Sequence, residues 1–333
     1  MKELSRDYEE IRKNFIRKYP EDFLRKELQE FADADVDPYD MCDNGKETIH
    51  LTSHFCDEHL YKARNSSSSM SPMEALQRDD ILDIAFKRID EKPKFYQGDD
   101  LENLRTWFRN NGGIAMKVAN FSPNVARKVY ERYMPKFNAR IFDYSCGWGA
   151  RLLGCLSSNY NYEYIGIEPN SPLRASLNEF SKFIADTLWE GENKAKIYEG
   201  GSELFHPELE NTVDLSFSSP PYFDLEVYTQ EETQSIVKYP EYNAWIEGYM
   251  KPTLNNIYKY TKKGGYHIVN LKNMTSGKKY PLLTDWVINA YNAGFRPVEK
   301  LEMYHQSQRQ FNKNNPSMNY TAGTEPIVVM KKP

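Results

Sequence analysis

Residues 139–149 read Ala139-Arg140-Ile141-Phe142-Asp143-Tyr144-Ser145-Cys146-Gly147-Trp148-Gly149, and Ala150-Arg151-Leu152-Leu153-Gly154-Cys155-Leu156 follows. The first part is a short apolar strand ending in an acid. The second is a glycine turn that opens into a helix. Glycines let a backbone turn tightly and approach a ligand closely. Residues 162–168 form a second apolar strand, and Glu168 ends it, nineteen residues after Gly149. An acid at that place can hold both hydroxyls of a ribose. Strand, glycine turn, helix and strand with a terminal acid predict a doubly wound α/β sheet, with its ligand at the carboxyl ends of the strands.

The same grammar continues downstream. Helical spacing over 172–188 leads to a strand at 194–201, and another strand at 213–218 enters Ser219-Pro220-Pro221-Tyr222. A helix over 244–261, a strand over 264–273 and a helix closed by Gly294 follow. Two last strands, 296–303 and 325–332, have no helix between them and can pair as a hairpin at one edge. Strands alternating with helices imply right-handed crossovers and a mostly parallel sheet.

Upstream, residues 1–120 read as helices joined by acidic or polar loops. Tyr8, Ile11, Phe15 and Tyr19 have helical spacing. Ser71-Pro72-Met73-Glu74 is a capping box with Pro at the first helical position. Ser122-Pro123 opens a further helix. The domain expectation is a helical region over 1–120 and an α/β domain over 121–333.

The chain has 333 residues, 40% of them hydrophobic and 14% aromatic, enough for a sizeable core. No window of 18 uncharged apolar residues exists, and residues 1–10 hold no apolar signal core, so the expectation is a cytoplasmic chain with no membrane partner. Four cysteines without a paired spacing fit a reducing compartment. Residues 1–100 carry 16 basic and 24 acidic side chains, against 27 and 24 in the remainder. A net charge of −5 argues against indiscriminate binding of nucleic acid but permits a local basic groove.

The ligand's chemistry can be narrowed further. The dinucleotide fingerprint is broken, since Leu152 stands where a third glycine belongs, and no Lys-Ser/Thr pair makes a phosphate loop. An acid before the glycines would repel a pyrophosphate and suit an ammonium. Ammonium and ribose together point to an amino acid joined to a nucleoside. This Asp-x-Ser-x-Gly-x-Gly pattern resembles the S-adenosylmethionine site of class I methyltransferases. That resemblance implies S-adenosyl-L-methionine as cofactor. Asp143 would face its amino end, Ser145, Gly147 and Gly149 would form the turn, and Glu168 would hold the ribose. Gly201-Ser202-Glu203 falls where the family contacts adenine.

Ser219-Pro220-Pro221-Tyr222 carries the chemistry. Consecutive prolines fix φ and supply no N–H, so the turn is stiff and can aim a carbonyl at a fixed point. An exocyclic amine on a base is a poor nucleophile because its lone pair is conjugated into the ring. The Ser219 hydroxyl and the Pro220 carbonyl can accept its N–H groups and favour the reactive pyramidal nitrogen, while Tyr222 stacks on a base taken out of the duplex. The motif is similar to the Pro-Pro turn of DNA amino-methyltransferases acting on adenine N6 or cytosine N4, as in restriction–modification. Phe121-Ser122-Pro123 sits where that family places its Phe-containing cofactor motif, giving the gamma-type motif order over roughly 121–332.

The resemblance therefore implies a site-specific DNA methyltransferase, with Ser219 leaning toward cytosine N4. RNA or a protein glutamine is an alternative substrate, and a non-catalytic module that kept the fold is another reading. The chain after Tyr222 leaves no room for a separate recognition domain, so residues 1–120 or a partner would read the target. The amide-rich stretch 304–323 is a second candidate reader. His50, His54, Cys56 and His59 cluster without the paired spacing of a zinc site, and no metal is expected. Cys146 has no dedicated base and is expected to be a buried thiol.

Overall fold

The computed structural model describes residues 6–43, 49–110, 113–134, 137–229, 231–274, 279–305 and 324–333. The N-terminal part holds α1 (Tyr8–Asn14), α2 (Glu21–Asp33), β1 (Cys42–Asp43), α3 (Ile49–Lys62), β2 (Arg64–Asn65), α4 (Pro72–Leu76), α5 (Asp79–Asp90) and α6 (Asp100–Asn110). The expected capping box closes α4: the Glu74 N–H donates to Ser71 Oγ at 3.2 Å, and the Ser71 N–H to the Glu74 carboxylate at 2.7 Å. The following helix, α7 (Pro123–Tyr133), starts as the Ser-Pro pair predicts, with Ser122 Oγ accepting the Val125 N–H.

The alternating half contains β3 (Arg140–Asp143), α8 (Ala150–Leu156), β4 (Glu163–Glu168), α9 (Ser171–Leu188), β5 (Ala195–Glu199), β6 (Val213–Ser218) and β7 (Glu226–Val227). After it come α10 (Ser235–Lys238), α11 (Tyr242–Trp245), a π-turn (Ile246–Met250), α12 (Lys251–Tyr260), β8 (Thr261–Asn270), α13 (Leu282–Ala293), β9 (Arg296–His305) and β10 (Glu325–Lys331). The large sheet has the order β1-β9-β10-β8-β6-β3-β4-β5. Strands β8, β6, β3, β4 and β5 pair in parallel. The last strand, β10, lies antiparallel between β8 and β9.

Period-two alternation builds the two faces. Ile141, Tyr164, Leu215 and Ile268 enter one apolar cluster, while their neighbours Phe142, Ile165 and Val269 enter another with Trp245, Leu254 and Trp286. The doubly wound, mostly parallel sheet is the fold class that the glycine turn predicts.

The boundary expected at residue 120 has no counterpart in the packing of α2 and α3. Leu24, Leu28, Leu51 and Leu60 share one core cluster with Leu152, Leu177 and Ile184. Strand β1 also extends the sheet, Cys42 pairing with Tyr304. Only α1 and α4–α6 form a cluster of their own, around Leu82, Leu104 and Trp107. Two-residue strands such as β1 have too little periodicity to be read from sequence. No helix of the described residues is long and apolar enough to cross a membrane.

Candidate active site

A cavity of about 500 Å³ opens at the carboxyl ends of the parallel strands. Ser145, Gly147, Glu168, Ser202, Ser219 and Tyr222 all line it, so the sequence motifs converge on one space. The two glycines have separate tasks. Gly147 has φ +56, and a Cβ there would meet nothing nearer than Arg151 Nη2 at 3.6 Å, so its bare face is open to the cavity. Gly149 has φ +77, but a Cβ there would stand 3.1 Å from Leu177 and Phe180. Its role is to let α8 pack on α9.

Asp143 differs from the expectation. Its side chain is fully buried and its carboxylate accepts from Arg151 Nε at 2.9 Å, the Tyr164 hydroxyl at 2.7 Å and the Ser145 N–H at 3.2 Å. It does not line the cavity, whereas Arg151 does, and the Arg151 guanidinium also donates to the Ser145 carbonyl. An ammonium cannot reach an acid whose lone pairs are already taken. The charge presented to the cavity at this end is the arginine's.

Glu168 sits at the end of β4 as expected. One carboxylate oxygen accepts the Asn170 N–H at 2.9 Å. Burial pushes its pKa up to about 8, Asn170 opposes the shift, and the negative charges of Asp143 and Glu231 add to it. A buried carboxyl held near neutrality gains most when a ligand brings it hydroxyl donors.

Ser202 Oγ lies 3.0 Å from Thr253 Oγ1 and 3.5 Å from the Tyr249 hydroxyl, which also stands 3.4 Å from Ser145 Oγ. Tyr249 thus bridges the loops after β3 and β5. It belongs to the π-turn, where Gly248 carries no Cβ because the Tyr239 ring would stand 2.3 Å from one. Such turns inside helices are frequent at functional sites. A helical pattern conceals the extra residue, so neither Tyr249 nor Arg151 was legible as a site residue. A basic residue in the first turn of an otherwise apolar helix was the available signal for Arg151.

The catalytic-motif turn follows β6 directly. Ser218 Oγ donates to the Ser145 carbonyl at 3.2 Å and ties this turn to the glycine turn. Burial raises the Tyr222 phenol's pKa well above its ordinary value, and a hydrogen bond with the Ser219 hydroxyl opposes the rise. Phe223 comes next with φ +56, unusual for a bulky residue. The rings of Tyr242, Trp245 and Tyr280 stand 5.1–5.7 Å from its own and hold it there. Strained backbone beside a site persists only where packing over-determines it.

Phe121 lines the cavity, its ring edge-on to Phe217 at 5.5 Å. Ser122 and Pro123 do not line it. Ser122 caps α7 and donates to Asp43 at 2.9 Å, and Pro123 fills the first helical position. The N-terminal part supplies another wall: β2 pairs with β7, Asn65 opposite Glu226, and Asn65, Arg109 and Lys117 face the cavity near Tyr222 and Lys272.

The histidines go to separate partners: His50 to Glu27, His54 to the Tyr19 N–H and His59 to Ser176. No group of three or more possible metal ligands occurs among the described residues. Cys146 is buried, with its thiol pKa raised by that burial, as expected of a packed thiol. Nearly all of the 304–323 stretch lies outside the described residues.

No family model matches the chain, and no curated protein matches it in sequence. Solved structures resemble it in backbone. A geranyl diphosphate methyltransferase in complex with SAM is 9% identical, with 71% of this chain and 92% of that one covered and a TM-score of 0.44. TrmN from Thermus thermophilus is 12% identical over 63% and 49%, with a TM-score of 0.42. The [4+2]-cyclase SpnF is 14% identical over 63% and 81%, with a TM-score of 0.43. The fold is Rossmann-like. That assignment rests on the sheet order itself, since likenesses at these scores say nothing of chemistry.

Proposed function

We propose that this chain is an S-adenosylmethionine-dependent methyltransferase acting on the exocyclic amine of a nucleobase, cytosine N4 or adenine N6, in DNA. The observation that carries the reading is the meeting of Ser219–Tyr222 with Gly147 and Glu168 around one cavity. A turn suited to an aromatic amine and a pocket suited to an amino-acid nucleoside have no reason to share a space unless a group passes between them.

The residues fit the cofactor. Glu168 has a carboxylate ready for a ribose diol, Gly147 leaves the space a side chain would fill, and Arg151 presents a cation to an amino-acid carboxylate. Glu203 Oε2 is buried with no partner, as an acceptor reserved for a ligand would be. When bound, the cofactor supplies an electrophilic methyl group.

The chain's part is to orient the amine. Ser219 Oγ and the Pro220 carbonyl accept its hydrogens, so the nitrogen lone pair points down the cavity. Tyr222 offers its ring face to the base, and its hydroxyl holds Ser219 in place. Alignment of reacting groups inside a closed pocket is worth several orders of magnitude in rate. No covalent enzyme intermediate is required. Arg109, Lys117 and Lys272 put positive charge on the side where a nucleic-acid backbone would run.

The experiment is incubation with tritiated S-adenosylmethionine and, separately, duplex DNA, tRNA and cell protein. Label in DNA alone supports the reading. Label confined to RNA or protein moves the substrate, and cofactor binding without transfer to any of the three would leave a binding module.

A further inference from the structure

Two buried polar atoms at one end of the cavity have no partner among the described residues, and they are of opposite kind. Glu203 Oε2 can only accept when ionised, and Gln234 Nε2 can only donate. Gln234 is 6% exposed and lines the cavity, as does Glu203. The glutamine side chain makes no cap to α10, although its residue is the N-cap. Leaving such a group unpaired costs free energy comparable to a lost hydrogen bond, so an orphan pair facing one cavity calls for a ligand.

The segment carrying Gln234 is tied down on both sides. Lys238 Nζ donates to Glu203 Oε1 at 2.7 Å, and the Trp245 indole N–H donates to Ser235 Oγ at 3.0 Å. Gln234 and Glu203 are thereby fixed on opposite sides of the same opening, one after the Pro-Pro turn and one after β5.

We propose that Gln234, with Glu203, reads the amino edge of the cofactor's adenine, so that the 233–238 segment acts as a clasp selecting an aminopurine. A donor beside an acceptor matches adenine, whose ring N1 accepts and whose exocyclic N6 donates. Hypoxanthine presents the reverse, a protonated N1 and a carbonyl, and sets carbonyl against carboxylate. This inference rests on the S-adenosylmethionine reading above.

Isothermal calorimetry with S-adenosylhomocysteine and its deaminated analogue S-inosylhomocysteine separates the two. The wild type should bind the adenosine compound at least tenfold more tightly than the inosine one. Gln234→Leu should bind S-adenosylhomocysteine about three- to tenfold more weakly, in line with one lost hydrogen bond. Its ligand-free Tm should not fall, because the replaced amide nitrogen had no partner. Gln234→Glu should bind more weakly still, from two adjacent carboxylates. A wild type that binds neither compound overturns the cofactor reading itself. A wild type that binds S-adenosylhomocysteine, with Gln234→Leu matching it in affinity and preference, overturns the clasp alone.

Discussion

Arg151 and Asp143 form a buried ion pair beneath the glycine turn, Nε to Oδ2 at 2.9 Å, with side chains 5% and 0% exposed. Asp143 acts through this arginine rather than on the ligand. It neutralises and orients a guanidinium that then fixes the Ser145 carbonyl and faces the cavity. The predictions start from this inversion.

Removing one partner of a buried pair leaves the other charge uncompensated, at a cost of about 3–5 kcal/mol. Asp143→Ala should therefore lower stability by that amount in urea unfolding, and lose ligand affinity as a consequence. Asp143→Leu with Arg151→Met should be less unstable than Asp143→Ala alone, yet still bind S-adenosylhomocysteine poorly, because the cation is gone. A stable Asp143→Ala protein would mean that the pair does not hold the turn.

Glu168 gives a pH signature. Its pKa stands near 8 in the ligand-free protein, so it is mostly neutral at pH 7. Ribose hydroxyls donate best to the ionised form and draw the pKa down. Affinity for S-adenosylhomocysteine should thus rise from pH 6.5 and level off above about pH 8. Stability of the free protein runs the other way. A raised carboxyl pKa means stability present below about pH 4.5, the unfolded value, and lost as pH rises toward 8. Glu168→Gln should flatten both curves, and unchanged profiles in that variant would remove Glu168 from the ribose site.

The two glycines should fail differently. Gly149→Ala combines a left-handed φ with crowding against Leu177 and Phe180, and should cost more than the roughly 1–2 kcal/mol of the backbone term alone. Gly147→Ala pays the backbone term without a clash, but its methyl enters the cavity. Melting temperature should fall most for Gly149→Ala. Affinity at a temperature where both are folded should fall most for Gly147→Ala. The opposite ordering would exchange their roles.

At the catalytic turn, Ser219→Ala should lower single-turnover methyl transfer about tenfold while ligand affinity holds, because one acceptor is lost and the Pro220 carbonyl remains. Tyr222→Ala removes a stacking face worth roughly 1–3 kcal/mol per base and should lose most activity. Tyr222→Phe keeps the face and loses only the bond to Ser219, so it should retain more than Tyr222→Ala. If Tyr222 merely packs, Tyr222→Ala would lower Tm and leave the turnover of folded enzyme unchanged.

The sheet was legible because each strand is a short apolar run bounded by a turn residue, and because Gly147, Gly149 and Glu168 stand at fixed places in such a sheet. The convergence of Ser219 and Tyr222 with them followed from strand order. What escaped reading depends on pairing across long sequence distances. Arg151 has no pattern of its own and gains meaning only when Asp143 is seen buried against it. Asn65 reaches the cavity because β2 meets β7, which two residues cannot announce. Ser122 and Pro123 were assigned to the ligand, yet helix capping uses the same residue types. The sharing of Leu24 and Leu28 with α9's core was hidden because their helical stripe names no partner.

The most direct measurement is nucleoside mass spectrometry of DNA incubated with the protein and methyl-deuterated S-adenosylmethionine, beside the Tyr222→Ala protein. The account predicts a deuterated methyl on cytosine N4 or adenine N6 with the wild type and a much smaller yield with the variant. Deuterium on cytosine C5, or equal yields from the two proteins, would contradict it.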